Sequence, residues 1–593
     1  MAANGPARWK PRILEASIEK RKRMAKIVNQ RSSIMLHISI LLALCGVLYL
    51  PYLGALPFYD RGEPREALAV QDIVQRGEWL FPLKTPTTIP SKPPLFHWSA
   101  ALISKVTGKL DERTIRFPST LYAILGVITI YWLGRRLFGA KVGLLAGAIL
   151  STTLLYSNQA LEARVDMTLC FFTTLSLVLF YSLYRGFAAR PVWYYLFYAV
   201  VGMGALAKGP LGILFPALVA GSFLAIKRRW DLVFKFCLHP GVLLTVAIVV
   251  GWYGIAMARG GEDFVDRQLL KENLERFFGG SGHSNPVYYY IPYLFSQGLP
   301  WSLFLPFVLW DHFKNRSVAR GDDGLFLTIW LGVMFVFLSL SVGKRPVYLL
   351  PLYPALALLT ANWFYQQGEA LGMRRFWYRV IGLIAAWFGI VLLVITVGGL
   401  WNHDAGWFFS LIEPLLKPKD RANFLAVRES LVSFGWVFTV AACLSGILWL
   451  ATACSLWMAR IRPAAYFLLL VSILVPFIGW SMILPSIAET KSYRDFMEKV
   501  NRRVQPGGKL YLFGELHSDP IVFYRGMEIE TLERSMDRIA ARIGPGDVYV
   551  IMPQKTWSQI TKLRPALDAP LVKSKGTGPE GDIPIVLVRA SGV

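Results

Sequence analysis

Long apolar runs alternate with short charged segments over most of this chain. A helix that crosses a membrane needs roughly 20 mostly apolar residues, and the first such run covers residues 34–53. It follows a basic stretch, "EKRKRMAKIVNQR", lies far from the start and lacks a small-residue cleavage site, which predicts a retained helix rather than a cleaved leader. The next apolar run starts near Phe117. Between them, the loop 57–116 holds two amphipathic stretches, 63–76 and 94–106, that are too short or too polar to span. They are predicted to lie in the membrane surface as juxtamembrane helices. Counting onward by the same length criterion gives about 13 spans. Beyond Pro485 the pattern changes: "KLYLF", "DVYVI" and "PIVLV" have strand character, and "RDFMEKVNRRV" and "ERSMDRIAARI" have helical periodicity. Strands alternating with helices predict a small α/β domain with a partly parallel sheet.

The fold class that follows is a polytopic α-helical membrane protein with external juxtamembrane helices and a small C-terminal α/β domain, divided into residues 1–485 and 486–593. Composition agrees: 54% of the 593 residues are hydrophobic, too many for a soluble globular chain. A net charge of +25 raises the question of nucleic acid, but Lys and Arg sit in short segments between apolar runs, such as "GRRLFGAK", "IKRRW" and "GMRRFWYR". That is how cytoplasmic loops are marked, and the excess suits anionic membrane lipids rather than nucleic acid. The five cysteines show no paired spacing for a disulfide framework or a zinc site. The opposite loops then face outward, together with the C-terminal domain.

Candidate chemistry gathers on that outer face. "YDRGEPREA" places Asp60, Glu63 and Glu66 beside Arg61 and Arg65 at the start of a juxtamembrane helix, where acids also serve as N-terminal charges. In "PSKPPLFHW" the prolines restrict Lys92, a point charge suited to phosphate or a snorkelling lysine. "EARVDMTLCFF" puts Asp166 at the outer end of an apolar helix with Glu162 one turn earlier. The loop 274–301 carries His283, and "SVGKRPVYLL" sets Lys344, Arg345 and Tyr348 at the outer start of another helix. Each signal alone has a bland reading; their agreement on one face does not, because ionisable residues at a membrane are costly. Carboxylates with cations and aromatics suit sugar transfer from a lipid phosphate, one group acting as general base and the cations holding the departing phosphate.

The order of "GEPREA", "GEWLFP", "SKPPLFHW", "ARVDMTLCFF", "KGP", "PVYYYIPYLFSQGLPW" and "KRPVYLLPLYPALALL" resembles the bacterial aminoarabinose transferases, which belong with the protein O-mannosyltransferase-like enzymes of the C-type glycosyltransferase fold. The resemblance covers roughly residues 34–365. It implies an inner-membrane glycosyltransferase with a polyprenyl-phosphate sugar donor and a lipid A, glycan or protein acceptor on the periplasmic face; a transporter or flippase of a lipid-linked sugar is the alternative. It implies Glu63 as principal carboxylate, Asp166 as the second, and Asp60 as a third. Arg65, Lys92, Lys344 and Arg345 would bind phosphate, with Tyr348 hydrogen-bonding it. His283 would contact substrate or, with Glu63, a divalent metal. Two positions depart from the family's pattern: Gly62 stands where it usually has aspartate, and Ser91 where it commonly has glutamate.

Overall fold

The computed structural model describes residues 32–84, 92–275, 279, 285–314, 321–366, 373–402, 410, 413–416, 418–505, 507–514, 516, 518–532, 543–563, 569–576, 578 and 583–590. The first helices are α1 (Ser32–Tyr52), α2 (Gly62–Arg76), α3 (Leu95–Thr107), α4 (Glu112–Phe138), α5 (Ala140–Thr152), α6 (Leu154–Ala160), α7 (Val165–Tyr184), α8 (Val192–Lys208) and α9 (Leu211–Ile226). Among the described residues nine helices are long and apolar enough to cross a membrane, or ten if α5 and α6, bent by 68°, form one crossing. This is fewer than the expected thirteen. Part of the difference is α8 and α9: at 17 and 16 residues they rise only about 25 Å, short of the ~30 Å hydrocarbon core.

Local chemistry explains the elements that frame one end of the bundle. The Asp60 carboxylate accepts from the backbone N–H groups of Gly62 and Glu63, both at 2.9 Å, and so starts α2. Gly77, in the left-handed region at φ 75°, ends it. Asp111 and Thr114 form a reciprocal capping box at the start of α4. The turn between α8 and α9 is tight: Gly209 adopts φ 74°, and a side chain on Gly212 would run into the backbone of Gly204. Only small residues let two helices approach that closely, and the turn fixes Lys208 at its apex.

The C-terminal unit forms a five-stranded sheet from β1 (Leu510–Leu512), β2 (Glu530–Thr531), β3 (Ile543–Pro553), β4 (Val572–Lys573) and β5 (Ile585–Ala590), ordered β2-β1-β3-β5-β4. β1 pairs parallel with β2 and β3, while β5 runs antiparallel to β3 and β4, so the sheet is partly parallel as expected. Its helix Ser518–Arg525 packs on α2 and α3. Phe58 stacks edge-on against Phe523 at 5.1 Å, and Val522 and Phe523 join a buried cluster with Val70, Phe96 and Ile115. Tyr524 accepts from the Phe58 N–H and donates to Glu112, at 2.9 and 2.8 Å. The juxtamembrane helices are therefore clamped between the membrane bundle and the C-terminal unit.

Candidate active site

Two layers of charge lie at the end of the bundle that carries the juxtamembrane helices. The inner layer is closed. Glu63, 1% exposed, receives a two-pronged Arg116 guanidinium, Nε to Oε1 and Nη2 to Oε2, both at 2.7 Å. The Ala163 N–H donates to the same Oε1 at 2.8 Å, and Arg116 also donates to the carbonyls of Leu56 and Pro57. One buried ion pair thus ties the loop after α1, helix α2, helix α4 and the segment before α7. Both oxygens of Glu63, the carboxylate expected to react, are engaged by Arg116 and the Ala163 N–H, which supports a framing role for it.

The outer layer is more open and centres on Arg164. Its guanidinium pairs with Asp60 and, through Nε at 3.1 Å, with Glu162. Gly62 makes the space: a Cβ there would fall inside the Arg164 guanidinium. In this chain, then, the position where the family usually carries an aspartate is covered by an arginine from the segment before α7. Glu162 takes a hydrogen bond from Gln159 at 2.8 Å and keeps about 24% of its side chain exposed. Burial in this crowded setting, opposed by Arg164 but reinforced by the charges of Asp60 and Glu63, pushes its carboxyl up to about 7.

Asp166 pairs with Lys208 across the α7–α8 interface, and Lys208 sits 4.4 Å from the centre of the Tyr348 ring. The charge of Lys92 acts on both Asp166 and Glu66. Glu66 bonds to His97 at 2.8 Å and to Arg65 at 3.2 Å. Burial would raise its carboxyl, but the His97 hydrogen bond and the nearby cations outweigh it and hold it at about 2.

The structure therefore brings Asp60, Asp166, Lys92, Arg65 and Tyr348 to one end of the bundle. Lys344 is buried and donates to the backbone carbonyls of Asn285, at 2.9 Å, and Ser341, which ties a loop at this turn. Arg345 is half-buried at the same turn, and His283 lies outside the described residues. Sequence reasoning passed over Arg116, Arg164, Lys208 and His97, and left Glu162 in second place. Arg116 and Lys208 meet their partners 53 and 42 residues away, which no local pattern reveals. Among the described residues no three His, Cys, Asp or Glu side chains are grouped to hold a metal ion.

Residues 91–253 match the family model described as dolichyl-phosphate-mannose-protein mannosyltransferase. An undecaprenyl phosphate-alpha-4-amino-4-deoxy-L-arabinose arabinosyl transferase of Pseudomonas fluorescens is 28% identical over 401 residues, which is 64% of this chain and 71% of that one. The corresponding transferase of Pseudomonas aeruginosa (strain UCBPP-PA14) is 32% identical over 57% of this chain and 61% of its own. The crystal structure of ArnT from Cupriavidus metallidurans bound to undecaprenyl phosphate superposes with a TM-score of 0.71 at 19% identity, covering 94% of this chain and 99% of that one. The chain is similar to these aminoarabinose transferases in sequence and to ArnT in fold. The match to that structure over nearly its whole length means that the C-terminal unit as well as the bundle shares its fold.

Proposed function

We propose that this chain is an inner-membrane glycosyltransferase that moves a sugar, in its relatives' case an aminoarabinose, from a polyprenyl-phosphate donor to an acceptor such as lipid A on the periplasmic face. The observation that carries the reading is the outer charge layer: Asp60, Arg164 and Glu162 beside Asp166–Lys208 and Lys92, at the end of a bundle that matches a solved polyprenyl-phosphate binder. Glu162 is the group we assign as general base, because a base poised near neutral pH works best there and its carboxyl is partly open. It takes the acceptor hydroxyl proton as that oxygen bonds to the sugar's anomeric carbon; the bond from that carbon to the phosphate oxygen breaks, and polyprenyl phosphate leaves. Lys92, Lys208 and Arg65 supply positive charge for the departing phosphate, Tyr348 orients Lys208, and Asp166 holds Lys208 in place. Residues 1–485 form the catalytic membrane domain and 486–593 a periplasmic domain that braces it.

The test is transfer itself. Purified protein is mixed with radiolabelled undecaprenyl-phosphate sugars and extracted membrane acceptors. Label should appear in the acceptor with wild type and be lost with Glu162→Gln and Asp166→Asn. Movement of the donor across vesicles without transfer would replace the reading by a flippase. Orientation is tested in a cysteine-free background with Asp495→Cys, an exposed position of the C-terminal unit. It should react with an impermeant thiol reagent once the outer membrane alone is permeabilised; labelling only after inner-membrane lysis would overturn the periplasmic assignment.

A further inference from the structure

Helix α2 has a second polar end. Glu63 and Glu66 belong to its first turns, whereas Gln71, Asp72, Gln75 and Arg76 line a cleft of about 250 Å³ whose far wall is the C-terminal unit, with Lys84 and Glu528 at its edges. At 3.6 residues per turn, Gln71 lies roughly 140° around the helix from Glu66, so the cleft does not share the opening of the charge layer.

Most polar groups in the cleft are already paired. Asp72 binds Arg76 and accepts from the Leu83 N–H at 2.8 Å, and Lys84 pairs with Asp519 at 2.8 Å. Gln75 donates to the Gly526 carbonyl at 3.0 Å, and Gln71 donates to Gln75 Oε1 at 3.3 Å. The Gln71 Oε1 is the exception. The residue is only 5% exposed, and that oxygen has no hydrogen-bond partner among the described residues. Leaving a buried acceptor unmatched is unfavourable, so the site favours something that donates. The Glu528 carboxylate, on an exposed residue at the rim, adds a second acceptor. Both cations are neutralised within the wall, which disfavours an anion. Leu68, Leu83, Val522 and Met527 give the cleft aliphatic patches. Hydroxyl donors on one side and C–H faces on the other are the chemistry of a sugar ring. The volume, near the low end of small-molecule pockets (roughly 300–1,000 Å³), fits a ligand of that size.

We infer that the cleft between α2 and the C-terminal unit is a saccharide subsite that holds a sugar ring of the acceptor away from the reacting groups. This rests on the glycosyltransferase reading for its purpose, but not for its binding. Full-length protein in detergent, without donor, is therefore probed by saturation-transfer NMR with methyl glycosides of glucose, galactose, mannose and N-acetylglucosamine. At least one should receive saturation from wild type, with the signal reduced several-fold in Gln71→Leu and, as a surface variant that leaves the wall intact, in Glu528→Gln. In the transfer assay the same variants should raise the acceptor KM several-fold with kcat and donor KM unchanged. No saturation of any glycoside, equal saturation in all three proteins, or displacement by inorganic phosphate would overturn the subsite. Glycoside binding that depends on Gln71, in a protein that transfers no sugar, would sustain the subsite and sink the transferase reading instead.

Discussion

Glu63 and Glu162 stand in adjacent layers, each facing an arginine, yet the two pairs are built for different work. Arg116 meets Glu63 with both prongs in a closed interior, and the Ala163 N–H completes the shell. Arg164 is shared between Asp60 and Glu162, and all three side chains remain about a quarter exposed or more. A fully matched buried pair has no capacity left for a proton or a substrate. A shared cation over two carboxylates leaves one of them under-compensated, and that one is Glu162. That difference is why we propose the carboxylate best placed by motif as the frame and the one beside it as the base.

Breaking the inner pair should have the largest effect. Glu63→Ala leaves Arg116 charged and buried without its partner, which typically costs 3–5 kcal/mol. The expected result is a large fall in Tm and in the yield of folded protein, with partial recovery in Glu63→Ala/Arg116→Met. A Glu63→Ala protein of unchanged Tm that lacks only kcat would return the base to Glu63 and erase the contrast between the layers.

Glu162→Gln should do the opposite: kcat falls by about 10²–10⁴, the span of general-base catalysis, while Tm holds. The wild-type pH profile supplies the sign. With the folded carboxyl raised from its ordinary value to about 7, Glu162 is protonated below that pH and cannot accept a proton. Activity should therefore rise as pH increases through about 7, and that limb should vanish in Glu162→Gln. Because the shift is upward, the native state binds this proton more tightly than the unfolded chain, so its contribution to stability declines as pH rises from about 4.5 to about 7. A limb that persists in the variant would assign the titration elsewhere.

The contrast between layers also explains what could be read from sequence. The juxtamembrane helices were legible within a residue or two, because Asp60, Pro93, Pro94, Gly77 and Gly108 punctuate them locally. The gathering of Asp60, Asp166, Lys92 and Tyr348 at one end followed from topology alone. What was not legible is which carboxylate is saturated. That depends on Arg116 and Arg164, whose partners lie 53 and 104 residues distant. The span number of about thirteen is not confirmed for a related reason: α8 and α9 are largely apolar but short, and their close approach at Gly204 and Gly212 is a tertiary fact.

Lys208→Met tests the next contact outward. It removes the cation beside Asp166 and Tyr348, at a position nearly as buried as its partner, so the carboxylate is left uncompensated and a modest fall in Tm accompanies the loss. The distinguishing readout is the donor: its KM should rise about tenfold, the ~1.4 kcal/mol expected of one phosphate-facing charge-assisted contact, with acceptor KM unchanged. Lys208→Arg should restore most of the lost stability. A donor KM that stays level in Lys208→Met would make this lysine structural only.

The smallest expected effect is at Gly62, and it probes the outer layer without removing any charge. In Gly62→Ala the new methyl group occupies the space of the Arg164 guanidinium. The guanidinium is the far end of a flexible side chain about a quarter exposed, so it can swing aside and the fold should survive with little change in Tm. Its displacement loosens the pairings with Asp60 and Glu162 together. With Arg164 farther away, the main opposition to the upward shift of Glu162 weakens, and the activity limb near pH 7 should move to higher pH, so that activity falls several-fold at neutral pH and recovers in more alkaline buffer. Arg164→Met should move the limb in the same direction and further. If Gly62→Ala lowers activity equally at every pH, Arg164 is not what tunes Glu162, and the difference drawn between the two layers is one of packing alone.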